Sequence, residues 1–535
     1  MLVINSISHD ARVLKEADSL RNAGHAVTVV GIKDARNRQA HETRDSGVEI
    51  HRVSWRSHGY RRLAAACLLA AVLVVLAGVA LFAMWPPGPA VQLASVVRSS
   101  WDHVWGLVEA RGAGVLVPVL LVAFTTVLLV RRARRYLQLA RRYRVLEEEE
   151  GGRRPAEAPS VWGTVRALMV IKYKVLTWRG PLGSVVRRAE PDVLHCHDVL
   201  ALPLGARLKR RLGCRLAYDA HEIYEEVAQG TPELGAAYRS VQRRHQREVD
   251  LFITINESIA DFYSSHYPKL PRAVVIKNAA IPSGPTRYDG RLHDAAGLPR
   301  HQKILLYQGG FATHRGLETL VQSARHLPSS WTLVLMGWGK LEGELRDLAS
   351  SLLDIEAESA TTLTQLVGAR RLEDVHSPNS HMLEQRVEPA IVFVPPASQS
   401  ELVCWTAGAT LGVIPYEDVG LNHWFCTPNK LWEYPNAGVP MLVSEFPEMA
   451  KVVERYGLGW FLPHPLEPRA ISDVIKRISD EDLASAAKAC ARFIEADNWT
   501  FYEARLTQAY ASLLGHRSKA LAGHYDRTQR PRDYA

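Results

Sequence analysis

Several short stretches set glycines, cations and carboxylates where a chain turns from strand to helix, the place from which backbone amides and side chains can grip a phosphate. In YQGGFATHRGLETL, Gly309 and Gly310 close a strand-like run and Arg315 leads into a helix. Glycine lets the backbone approach an anion, and a cation beside it neutralises charge that grows as a phosphate-ester bond breaks. LMGWGKLEGEL repeats the turn with Gly337, Gly339 and Lys340. In TPNKLWEYPNAG, Asn429 and Lys430 open a helix and Glu433 follows one turn later. A carboxylate on a helix at a sheet's carboxyl edge can accept both hydroxyls of a ribose, while the helix N-terminus faces a diphosphate. Two further strand ends, HCHDVLALP and YDAHEIYEE, carry His195, His197 and Asp198, then Asp219, His221 and Glu222. HxH with HE raises the question of a metal, but the spacing spans two strands and lacks a third-ligand pattern. No DxD-like motif sits at a strand end, so no metal and no cofactor are expected.

These residues need strands to end beneath them, and the hydrophobic periodicity supplies them. Leu2 to Asn5, an amphipathic helix from Asp10 to Asn22, and HAVTVVGI from His25 to Ile32 read as a βαβ start. Alternation resumes with strands at 193–195, 215–218, 251–255 and 274–276 and a helix at 202–211. A second α/β unit begins near His301 with KILLYQGG and alternates through LETLVQSARHL, TLVLMGW, KLEGELRDLAS, AIVFV, LGVIP, PNKLWEYPNAG and PMLVS. Such alternation implies parallel sheets with helices on both faces. Residues 354–388 are expected to form a long loop, and the polar tail after His516 to be disordered.

Between the two stretches of the first unit lie two apolar runs. Leu63 to Trp85 contains no charge and Gly112 to Val130 is only slightly shorter. A bilayer core of ~30 Å needs roughly 20 such residues as helix. Arg61 and Arg62 precede the first run and Arg131, Arg132, Arg134 and Arg135 follow the second, while the connecting loop is balanced in charge. The expectation is an inserted two-helix transmembrane hairpin at 61–135, a basic juxtamembrane helix and linker at 136–159, and catalytic domains on the cytoplasmic side of an integral membrane protein. Those arginines account for much of the formal net charge of +9, which argues against nucleic acid and for membrane lipid as a partner. Six cysteines without a CxxC pair suggest neither a disulfide framework nor a zinc site. At 535 residues the chain exceeds one hydrophobic core, and two globular domains are expected.

With these motifs assembled, the chain resembles the family 4 (group 1) glycosyltransferases of the GT-B fold. The similarity covers about 1–54 and 190–514, and its most specific stretch is TPNKLWEYPNAGVPMLVSEFPEM, Thr427 to Met449. The resemblance implies an α/β fold of two Rossmann-like domains, one at 1–60 and 160–283 for the acceptor, one at 284–490 for the donor, and a helix at 491–515 returning to the first. It gives Glu433 the ribose, Arg315 the pyrophosphate, and His197 a place near the sugar's reactive centre. Gly309, Gly310, Gly337, Lys340, Asn429 and Lys430 become donor contacts, and Asp10, Arg12, His221 and Glu222 acceptor-side residues. The family's usual glutamate eight positions before Glu433 is Phe425 here, a departure shared with a subgroup that reads LN…PNKLFEY, and Trp338 replaces the acid of the family's GdG turn. The implied activity is metal-independent transfer, with retention of configuration, from a UDP- or GDP-sugar to a lipid-linked or cell-surface glycan. A nucleotide-sugar epimerase of the same fold and a non-catalytic glycan-assembly membrane protein remain as alternatives.

Overall fold

The computed structural model describes residues 1–7, 10–34, 37–54, 159–227, 231–284, 287–352 and 391–528. The chain divides into two compact units. One comprises Met1–Arg52, Val186–Gly230 and Val241–Ala535, the other Val53–Val185 and Thr231–Ser240.

The first unit opens on residues that make a strand without the length of one. Leu2 bridges in parallel to both Val30 and Cys196. Its N–H donates to the His195 carbonyl at 2.7 Å and its carbonyl accepts from His197 at 3.1 Å, while Val3 donates to the Val30 carbonyl at 3.0 Å. Met1–Val3 thus lies between the run β1 (Thr28–Ile32), β3 (Glu49–Val53) and β2 (His41–Thr43), in that spatial order, and the parallel run β4 (Val193–His197), β5 (Arg215–Asp219), β6 (Leu251–Thr254) and β7 (Val274–Val275). Helix α1 (Ala11–Asn22) follows this central segment, capped by the Asp10 side chain, which accepts from the Val13 N–H. Its inward face carries Arg12 and Glu16 beside Val13, Ala17 and Leu20, an unusual composition for a buried stripe.

The second sheet holds β8 (Lys303–Phe311), β9 (Trp331–Gly339), β10 (Ile391–Val394), β11 (Leu411–Ile414), β12 (Met441–Ser444) and β13 (Gly459–Leu462). Their spatial order is β10-β9-β8-β11-β12-β13, with every recorded pair parallel. Numbered along the chain this is 3-2-1-4-5-6, the doubly wound order, whose ligand crevice opens where the order reverses, outside the carboxyl ends of β8 and β11. The strands are buried on both faces, as their continuous apolar runs require. At the β8–β9 tips Gly309 faces Gly337 and Phe311 faces Gly339. A Cβ on Gly337 would stand 1.9 Å from the Gly309 carbonyl oxygen, so the glycine there permits the two strands to close up.

Helices α2 (Val161–Ala189), α3 (Leu202–Leu212), α4 (Pro232–His245), α5 (Glu257–His266), α6 (Arg291–Ala296), α7 (Leu317–Ser323), α8 (Leu402–Thr406), α9 (Leu421–Trp424), α10 (Lys430–Asn436), α11 (Pro447–Tyr456), α12 (Pro468–Arg477), α13 (Asp480–Ala496) and α14 (Trp499–Thr528) complete the described elements, with a further helical stretch at 342–352. The last returns to the first sheet's helix: Trp499 donates its indole N–H to Ser19 of α1 at 2.9 Å. It runs to Thr528, through most of the tail expected to be disordered.

The expectation of an integral membrane protein with cytoplasmic catalytic domains is corrected. No helix among the described residues is long and apolar enough to cross a membrane. The apolar runs 63–85 and 112–130 lie outside the described residues, as do the basic stretch 131–158 and the segment 354–388. The two longest helices, α2 and α14, have the length without the composition. α2 alone carries Arg166, Lys172, Lys174 and Arg179, each costing about 2.5–3.5 kcal/mol at a bilayer centre.

Candidate functional site

The doubly wound order predicts a crevice at the β8 and β11 tips, and a cleft of about 1300 Å³ opens there. Gln308, Gly309 and Gly310 of β8 line it with Thr313 and Arg315 from the turn that follows, Tyr416 after β11, and Asn429, Lys430 and Glu433 around the start of α10. Gly309 holds φ of +123°, which only glycine adopts without strain, and its Cα side lies against Lys430, whose Nζ would stand 3.1 Å from an added Cβ.

Tyr416 organises the two cations. The Arg315 guanidinium lies 4.1 Å from the centre of its ring, and Lys430 Nζ donates to its hydroxyl at 3.3 Å. Lys430 is 8% exposed, and its ammonium also stands 4.9 Å from the Tyr307 ring. Among the described residues neither cation forms a salt bridge, and two positive charges face the cleft beside aromatic rings and a phenol, with Glu433 and Glu222 acting on them from farther off. An anion with two charges relieves their mutual repulsion, and a diphosphate is such an anion.

Glu433 is held from behind. The Thr406 hydroxyl donates to Gln308 Oε1 at 2.7 Å, which turns the amide so that Gln308 Nε2 donates to Glu433 Oε2 at 3.0 Å. Gln308 is 2% exposed, so this chain of bonds is shielded from water and leaves the other carboxylate oxygen to the cleft.

On the opposite wall stand Ala11, Leu14, His221, Glu222, Ile255 and Asn278. Beneath them Arg12 forms a bidentate pair with Asp219, at 2.7 and 3.1 Å, and reaches the Ile276 carbonyl and Asn278 Oδ1 at 2.8 and 3.0 Å. Burial alone would raise the Asp219 carboxyl, but Arg12, with His197 and His221, holds it well below the usual range. Glu16, 3.1 Å from Arg12, shows the reverse: burial pushes it up to about 7 against the pull of that guanidinium. His221 Nε2 lies 3.1 Å from Asp198 Oδ1, which also accepts from the Tyr224 hydroxyl at 2.7 Å. Burial opposes charge on His221, yet Asp198 and Asp219 outweigh it and raise its pKa well above the ordinary imidazole value. Glu222 is raised by burial, with His221 opposing and Asp198 reinforcing.

The structure therefore brings Gly309, Gly310, Arg315, Asn429, Lys430 and Glu433 to one wall of the cleft, and His221 and Glu222 to the other. Five expected contacts stand elsewhere. His197 is fully buried, stacked on His195 with ring centres 4.2 Å apart, and its Nδ1 lies 3.3 Å from Asp219 Oδ2. Arg12 is spent on Asp219, and Asp10 caps α1 and accepts from Asn5. Gly337 serves strand closure, and Lys340 is exposed beyond the β9 tip, outside the lining. Sequence reasoning missed Gln308, Thr406 and Tyr416. Gln308 immediately precedes the glycine pair, and that adjacency was the available signal for it; Thr406 and Tyr416 carry none.

Comparison with known proteins sets similar chains beside this geometry. Residues 126–279 match the Glyco_trans_4_4 model, described as a glycosyl transferase 4-like domain. A D-inositol 3-phosphate glycosyltransferase from Nocardioides sp. is 24% identical over 300 residues, covering 54% of this chain and 60% of its own length. Among solved structures, a sucrose-phosphate synthase from Thermosynechococcus elongatus aligns with a TM-score of 0.58 at 13% identity, over 96% of this chain and 98% of that one, and so shares its fold. Anabaena HepE in complex with UDP and glucose aligns at a TM-score of 0.46 and 16% identity, over 62% and 80% of the two chains. Residues 126–279 are thus similar to a glycosyl transferase 4-like domain, and the α/β fold of parallel sheets is shared with the synthase.

Two outcomes follow from the charged wall. Asp219→Asn takes from buried Arg12 its bidentate partner and leaves it Glu16 alone, and is expected to cost about 3–5 kcal/mol in urea unfolding; a loss under about 1 kcal/mol would show that the pair is dispensable. Since the folded pKa of His221 is raised, its contribution to stability is full below about pH 6.5 and is lost as pH rises through the folded value. The destabilisation caused by His221→Gln is therefore expected to shrink towards alkaline pH, and a gap that stays constant with pH would contradict the ion pair with Asp198.

Proposed function

We propose that this chain is a glycosyltransferase that moves a sugar from a nucleoside-diphosphate donor to a hydroxyl acceptor across this cleft. The observation that carries the reading is the meeting of Arg315 and Lys430, side by side on Tyr416, with Glu433 held by Gln308 at the reversal point of a doubly wound sheet. The cations take the diphosphate and Glu433 takes the ribose hydroxyls. The volume, about 1300 Å³, exceeds the usual 300–1,000 Å³ of a single small-ligand pocket and leaves room for the acceptor against His221 and Glu222.

In the reaction the bond from the anomeric carbon to the diphosphate oxygen breaks, and Arg315 and Lys430 receive the growing negative charge. The acceptor oxygen bonds to the same carbon and its proton passes to the departing phosphate oxygen. Attack on the face the phosphate leaves retains the anomer, in keeping with the family resemblance, and none of these steps calls on a metal ion. The acceptor is a glycan, lipid-linked or free, or a phosphorylated polyol, the last suggested by the name of the Nocardioides relative. The donor is a UDP- or GDP-sugar.

Incubation with a panel of UDP- and GDP-sugars and these acceptors, read by mass spectrometry and by NMR of the product anomer, tests the reading. Transfer with retention supports it; inversion would refute the proposed face of attack, and sugar isomerisation without acceptor would favour an epimerase. Arg315→Ala is expected to lower turnover about 10²–10³-fold, the usual loss when one group that stabilises developing charge is removed. Gln308→Leu is expected to raise donor KM about tenfold to a hundredfold with a smaller change in kcat, because Glu433 loses its fixed donor; an equal fall in kcat at unchanged KM would show that Gln308 acts on the chemistry instead.

A further inference from the structure

Among the described residues, two clusters at the first sheet and its helix α1 gather imidazoles and carboxylates closely enough to ligate one ion, and geometry separates them. The buried group of Glu16, His195, His197 and Asp219 is the less suitable. Arg12 already lies 2.7 Å from Asp219 and 3.1 Å from Glu16, placing a cation where a metal would go. The two imidazoles are stacked with planes 14° apart, so their in-plane lone pairs run side by side and do not converge.

The second cluster lies on the β2–β3 hairpin at the sheet edge. His41 and His51 are paired directly across the antiparallel ladder, and Glu49, two residues before His51, projects on the same face. Their rings are 4.5 Å apart and inclined at 61°, an arrangement in which in-plane lone pairs can meet. One nitrogen from each histidine and one Glu49 oxygen lie within 4.8 Å of one another, and His51 Nε2 stands 3.6 Å from Glu49 Oε2. Tetrahedral bonds of about 2.0–2.1 Å place ligand atoms roughly 3.3 Å apart, so small rotations of exposed side chains suffice. Among the described residues no lysine or arginine pairs with Glu49.

We infer that His41, Glu49 and His51 form a binding site for a divalent transition-metal ion of the zinc class, clamping β2 to β3 away from the cleft. Two imidazoles and one carboxylate suit Zn²⁺, Cu²⁺ or Ni²⁺ over the oxygen-seeking Mg²⁺ or Ca²⁺, and the exposed position leaves a fourth place for water. The other face of the same hairpin gives the clamp a consequence. Arg52, next to His51 and 4% exposed, donates from Nε to the Ser6 carbonyl at 2.7 Å and pairs with Glu42 at 2.7 Å. Fixing β2 against β3 therefore also steadies the arginine that holds the loop between Leu2 and α1.

The test is a calorimetric titration of the full, chelator-treated chain with Zn²⁺ alone and with Mg²⁺ alone, repeated on His41→Ala and His51→Ala. Both changes fall on an exposed edge and spare the core, and circular dichroism checks that each variant stays folded. One equivalent of Zn²⁺ that raises Tm, weakened more than about tenfold in each variant and absent with Mg²⁺, is the expected result. Co²⁺ in place of Zn²⁺ should give visible absorption of a four-coordinate site that both variants lose. Failure of the wild type to bind Zn²⁺, or binding that both variants retain, would overturn the site. Glycosyl transfer does not enter the readout, so the outcome stands apart from that of the proposed activity.

Discussion

A guanidinium and a carboxylate buried together hold the first half of the cleft in place. Arg12 leaves α1, Asp219 ends β5, and the bonds of Arg12 to Ile276 and Asn278 draw in the chain after β7, so three separated segments meet at one charge pair. Charges out of water at such a point are stable only when fully partnered. The neighbours adjust accordingly: Glu16 rises to about 7, and His195 is driven well below its usual range, by burial first and by His197 next. Arg12 and Asp219 keep their charges there, while Glu16 and His195 are pressed towards neutrality.

The same pair reaches the second sheet through amides. Asn278, which accepts from Arg12, donates to the Thr427 carbonyl at 3.3 Å, and Asn256 donates to the Phe425 carbonyl and the Thr427 hydroxyl at 2.7 and 3.2 Å. Ile223 donates to Asn422 at 2.7 Å. These bonds fall on the segment that leads into α10, so the wall bearing Lys430 and Glu433 is registered against the wall bearing His221 and Glu222. Phe425, where a carboxylate is usual in the family resembled, contributes its backbone carbonyl to this joint.

Much of the cleft was legible because glycine and charge at strand ends have few other uses. The Gly309–Gly310 turn, Arg315, and Lys430 with Glu433 all line the cleft. What misled was the assumption that a polar residue at a strand tip faces ligand. Arg12 and His197 have the right types at plausible positions, but each points into the protein, where burial and a counter-charge decide its role. Gln308 and Tyr416 were overlooked because an amide and a phenol gain their function from what stands next to them.

The sequence by itself determined the elements: the alternation of apolar runs and amphipathic stretches dictated parallel α/β units, and residue type at the turns dictated an edge rich in glycine and charge. Tertiary structure alone decided which tips face each other across the cleft, that three residues, Met1–Val3, supply the central strand of the first sheet, and that Tyr416 seats two cations at once. The physical reason is range. Periodicity and turn chemistry act over a few residues, whereas pairing Arg12 with Asp219 or Gln308 with Glu433 joins positions more than a hundred residues apart, through contacts that exist only once both sheets are packed.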